Sequence, residues 1–97
     1  MQIEVIAEVG IDYEKRVFVR PGSGDFEQIY RAAMDVHWDR STGRLSHPAP
    51  RNLPPAQWFR QIVAAVADEY GVRLQLTDKT IWSNISADLR VEIEDRR

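Results

Sequence analysis

Ninety-seven residues, 43% hydrophobic and 29% charged, describe one small domain that buries roughly 65% of its unfolded surface. The net charge of −2, with both signs scattered and no basic run, excludes the long-range attraction that drives nucleic-acid binding. The absence of cysteine removes disulfides, thiolate catalysis and thiolate metal sites together, and no apolar run is long enough to span a bilayer.

Ile3, Val5, Ala7 and Val9 alternate with Glu4, Ile6 and Glu8, which predicts a strand with one mainly apolar face. Glu4 and Glu8 are also out of place in a signal peptide, so a cytoplasmic location is the expectation. After a polar stretch, Val17 and Val19 alternate with Arg16, Phe18 and Arg20, and residues 2–20 read as a β-hairpin. Pro21, Gly22, Ser23 and Gly24 break it. That loop lacks the lysine and spacing of a phosphate-binding loop and reads as a strand-to-helix connection.

A first helix is predicted over residues 25–34, with Phe26, Ile29, Tyr30 and Ala33 as its buried stripe and Ser23 or Asp25 as its cap. From Met34 the period changes to alternation. A second hairpin follows, whose four-residue loop Arg40, Ser41, Thr42 and Gly43 pairs Asp39 with Arg44, Trp38 with Leu45 and His37 with Ser46. This register puts an ion pair at the mouth of the hairpin. The connector HPAPRNLPP, with four prolines in nine residues, is extended.

The clearest pattern is a helix over residues 55–71, started by Pro55 and ended by Gly71. Phe59, Ile62, Val63, Val66 and Tyr70 form its stripe, and Trp58, about a hundred degrees from the stripe's centre, falls on its flank. Val72, Leu74 and Leu76 then form a strand, and residues 77–79 turn toward Thr80, Ile81 and Trp82. In the last segment Leu89, Val91 and Ile93 fit a strand, whereas the Ser86 cap with Ile85, Leu89 and Ile93 fits a short helix, which is the preferred reading. The fold class expected is α+β: an antiparallel or mixed sheet from two hairpins plus a C-terminal strand unit, with two helices on one face, in a single domain over residues 1–97.

No catalytic signature is present. His37 and His47 point to opposite faces of the hairpin, so a metal site with Asp35 or Asp39 is not expected, and no metal or cofactor is assigned. The set that could hold a ligand is Trp38, Arg51, Asn52, Trp58, Trp82 and Asn84, because aromatic walls with an Arg and amides suit a small anionic or planar ligand. Simple core packing of the three Trp is the plain alternative. A large aromatic on a helix margin also suits a partner subunit.

The runs WDRSTGRLSHPAPR and WFRQIVAAVADEYGVRLQLTDKTIWSNI, within residues 36–93, resemble small proteins encoded by integron gene cassettes of the mobile metagenome. The marks are Trp38-Asp39, Leu45, Pro50-Arg51, Trp58-Phe59, Glu69-Tyr70-Gly71, Leu76-Thr77 and Trp82-Ser83-Asn84. The resemblance implies an α+β fold, homo-oligomeric assembly and a small-molecule pocket at or near the subunit contact, and carries over no catalytic residue. The functional expectation is a non-enzymatic binding or adaptor domain. A small hydrolase or transferase using His37 or His47 with an Asp, and a binder of single-stranded nucleic acid, are the alternatives.

Overall fold

The structure is a computed structural model and describes residues 2–13, 15–31, 36–46 and 54–94. Its elements in chain order are β1 (Gln2–Ile11), β2 (Val17–Pro21), a single 3-10 turn (Ile29–Arg31), β3 (His37–Asp39), β4 (Arg44–Ser46), α1 (Pro55–Tyr70), β5 (Val72–Gln75), β6 (Ile81–Ser83) and α2 (Ala87–Glu94). The strands form one mixed sheet in the order β3-β4-β2-β1-β5, with β6 also on β1. The fold is α+β.

β1 is the central strand and carries an irregularity that decides which side chains are buried. Its first half, Gln2 to Val5, pairs in parallel with β5, and its second half, Glu8 to Gly10, pairs in parallel with β6. Against β2 it is antiparallel, and the register shifts between Ile6 and Glu8. An extra residue in one strand moves every later side chain to the other face. Ile6 and Val9 are therefore fully buried, while Ile3 and Val5 are 57% and 44% exposed. The expected single apolar face of Ile3, Val5, Ala7 and Val9 is corrected: the apolar phase changes sides at Ala7.

The neighbouring chain is interrupted at the same place. Between β5 and β6 residues 76–80 leave the sheet in a turn, closed by the Thr80 amide on the Thr77 carbonyl at 3.2 Å. The Thr80 hydroxyl, buried, donates to the Ile6 carbonyl at 2.8 Å and accepts from the Thr77 amide at 3.0 Å. That supplies a partner to a backbone acceptor that the irregularity would leave without one, at a site closed to water.

α1 and α2 lie on one face. Pro55 opens α1, and Gly71, at φ 63°, closes it by donating its amide to the Ala67 carbonyl. The buried residues of α1 are Ala56, Trp58, Phe59, Ile62, Ala65 and Val66, so the buried sector is centred on Ile62. Both the sheet and α2 touch this helix, and Ile93 of α2 joins the same core. The helix buries a wider sector than one stripe, and that sector includes Trp58. That corrects the flank position expected for Trp58, which is 8% exposed and part of the core.

α2 settles the last segment as a helix. The Ser86 hydroxyl accepts from the Leu89 amide at 3.1 Å, the N-cap arrangement, and Ile93 is buried while Val91 faces out. Residues 25–31, by contrast, do not form the expected first helix. Phe26 and Ile29 are buried as their spacing required, but the Gln28 amide donates to the Tyr70 hydroxyl at 2.9 Å, and only a 3-10 turn forms. Ser23 is no cap either, since its amide and hydroxyl both donate to the Glu4 carboxylate. The remainder of that expected helix, residues 32–34, lies outside the described residues.

Candidate functional site

Of the six residues expected to line a site, Arg51 and Asn52 lie outside the described residues, as does His47. The other four are not gathered in one place. Trp38 sits on β3 and meets Phe26 edge-on at 5.4 Å between ring centroids, and Phe26 in turn meets Tyr70 edge-on at 5.0 Å. Trp82 sits on β6 beneath the Arg90 guanidinium at 4.9 Å. Four strand steps separate β3 from β6, about 19 Å along the sheet. Trp58 sits on α1 and is part of the core. Asn84 adopts φ 59° and donates its side-chain amide to the Ile11 carbonyl at 3.2 Å, so it fixes the turn after β6.

A different constellation occupies the sheet face opposite the helices. Pairing registers, with that of β2 and β4 continued one residue past Val19 and Leu45, place Asp39, Arg44, Arg20, Glu8 and Ile81 in one row across β3, β4, β2, β1 and β6, and His37, Ser46, Phe18, Gly10 and Ser83 in the next. Phe18 lies across Gly10: a Cβ added to Gly10 would come within 2.5 Å of the Phe18 ring and 2.9 Å of the Ser83 carbonyl oxygen. Here glycine is required by the close approach itself. The Arg44 guanidinium stacks on the Phe18 ring at 4.0 Å, a cation–π contact that helps leave the ring only 3% exposed.

Glu8 is the electrostatic centre of this layer. Its carboxylate accepts from Arg20 Nε at 3.1 Å and from the Ser83 hydroxyl. Burial pushes its pKa up, but the Ser83 and Arg20 hydrogen bonds and the charges of Arg20 and Arg44 outweigh that and hold it below the usual value. Such a carboxylate is a weak base, and Ser83, bonded to it, lacks the partner that would activate a nucleophile.

Arg44 is placed differently. The expected pairing of Asp39 with Arg44 is present in the register, but the ion pair is not formed. Asp39 turns to its own loop, accepting from the Ser41 amide at 3.0 Å and the Ser41 hydroxyl at 2.7 Å, which lowers its pKa. The short hydroxyl of Ser41 reaches that carboxylate at no cost in side-chain entropy comparable to Arg44's. Arg44 is left with the Phe18 ring, and its buried Nε has no hydrogen-bond partner among the described residues. A separate open depression of about 320 Å³ lies near the end of α2, lined by Leu76, Thr77, Asp78, Arg90 and Glu94.

The profile of the integron cassette protein Hfx_Cass5 family matches residues 4–80, most of the sheet and all of α1. The chain belongs to that family. One solved structure, an Hfx_Cass5 integron cassette protein from the mobile metagenome of the North West Arm sewage outfall, is 45% identical. The alignment covers 96% of this chain and 93% of that one, with a TM-score of 0.50. No curated protein matches. The match supplies no activity and no catalytic residue. Gly10, Phe18 and Arg44 were not among the expected site residues, although a lone glycine inside a strand pattern is itself a signal of close approach.

Proposed function

We propose that this cassette protein is a non-catalytic binding domain that works as a homo-oligomer, joined through the sheet face that no helix covers. The observation that carries the reading is the trio Ile3, Val5 and Ile81, each close to half exposed or more on that face of β1 and β6. An antiparallel or mixed sheet with one wet face ordinarily lines it with polar residues. Three β-branched or aliphatic side chains there, beside a mixed-sign row of Arg20, Glu8 and Arg44, form a surface that a second copy can cover in a two-fold arrangement. Because Trp58 is buried, the contact we propose is on this face and not at the α1 margin.

Light scattering over a concentration series tests it. The wild type is expected to exceed the monomer mass at high micromolar concentration, and Val5→Lys to return it to a monomer. A wild type that stays monomeric throughout removes the proposal. The hydrolase or transferase reading has less support: Ser46 lies opposite His37 in the register, yet no hydrogen bond joins them among the described residues.

A further inference from the structure

We infer that Arg44 and Arg20 form a binding site for a small monocarboxylate on the open sheet face. The pairs Phe18 with Ser46 and Val19 with Leu45, continued by one residue, set Arg20 opposite Arg44 across β2 and β4. Like charges in adjacent cross-strand positions repel, and anions close by relieve that repulsion. Glu8 supplies one, to Arg20. Arg44 receives none: among the described residues it makes no ion pair, and the carboxylate that its register offers, Asp39, is bound to Ser41.

The geometry selects the ligand class. One face of the Arg44 guanidinium is covered by the Phe18 ring, so an anion approaches in the plane of the fork, along its terminal nitrogens. A planar two-oxygen carboxylate matches that edge by paired, charge-assisted hydrogen bonds. The Ser46 and His37 side chains lie on the same face in the next row, where the non-carboxylate part of the ligand would rest. This inference goes beyond the self-association reading and does not need it, because a monomer carries the same two arginines.

The test is a titration of the ¹⁵N-labelled protein with sodium acetate at constant ionic strength, reading the Arg44 Nε–H resonance and the backbone amides of β2 and β4. Sodium chloride and inorganic phosphate serve as separate arms. The expected result is a saturable acetate shift centred on Arg44 that chloride does not reproduce. In Arg44→Gln the binding should weaken about tenfold or more, as the loss of a charged hydrogen-bonding group implies. A wild-type response that is linear and equal to the chloride response overturns the site, whatever the stability of the variant. Saturable binding of phosphate stronger than that of acetate overturns the ligand class. Light scattering on the same samples reads self-association independently, so failure of one proposal is distinguishable from failure of the other.

Discussion

The two faces of the sheet share one central strand and are built by opposite means. On the helix side Ile6, Val9, Val17, Val19 and Leu45 meet Ile62, Val66 and Ile93, and burial of apolar area holds the contact. On the other side Gly10, Phe18 and Arg44 make a thin cover of one ring and one cation, and Glu8, Arg20 and Ser83 are joined by hydrogen bonds. The difference shows what the irregularity at Ala7 does. It sends Ile6 and Val9 inward, leaves Ile3 and Val5 outward, and lets a charged pair and an apolar pair occupy one outer face.

If the helix face carries the stability, its centre must be the most sensitive point. Ile62→Ala, a truncation at full burial, is expected to cost about 2–5 kcal/mol by chemical denaturation, more than any change on the open face. A smaller effect would show that the two faces share the work. Gly10→Ala comes next. Its new methyl would displace the Phe18 ring and uncover Arg44's stacking partner, at about 1–3 kcal/mol, with a loss of near-ultraviolet signal from the disturbed aromatic layer.

Glu8→Gln probes the electrostatic layer alone and should cost about 1–2 kcal/mol at neutral pH, discounted for partial exposure. The pH dependence has a definite sign. Arg20, Arg44 and Ser83 hold the folded-state pKa of Glu8 below its unfolded value, so this stabilisation is complete above about pH 4.3 and is lost as pH falls through the depressed value. Thermal melts between neutral and acidic pH should show a smaller drop for Glu8→Gln than for the wild type. The smallest effect belongs to Ile3→Thr, expected within about 0.5 kcal/mol in a dilute monomer because the side chain is exposed there. The same variant should weaken self-association, which separates the two roles of the open face.

The parts of this fold that the sequence discloses are those governed by local rules. Pro55 and Gly71 bound α1 where helix-start and helix-stop chemistry requires, and the four-residue loop from Arg40 to Gly43 fixes the register of Asp39 with Arg44. Ser86 discloses α2 because capping distinguishes helix from strand where the apolar spacing allows both. What stayed hidden depends on distant partners. The change of face at Ala7 is set by pairing with β2 and by Thr80, seventy-odd positions away, and strict alternation in the sequence pointed the wrong way. Residues 25–31 gave their buried side chains but not their backbone state, because Tyr70 takes the Gln28 amide. Trp58 was misplaced because the buried sector of α1 is wider than its apolar stripe, and the wheel of one helix does not contain the tertiary contacts that set that width. The family resemblance was legible in residues 36–93, and the family profile extends over residues 4–80.

The central claim is that the uncovered face of the sheet is the working surface of this protein. Methyl and ring resonances measured with a soluble paramagnetic probe, at dilute and at high protein concentration, test it most directly. Tyr13 and Val91, exposed elsewhere on the molecule, are internal references. The account predicts that Ile3, Val5 and Ile81 are broadened by the probe when dilute and protected when concentrated, while Tyr13 and Val91 stay broadened at both. Equal broadening of all five at every concentration would contradict it.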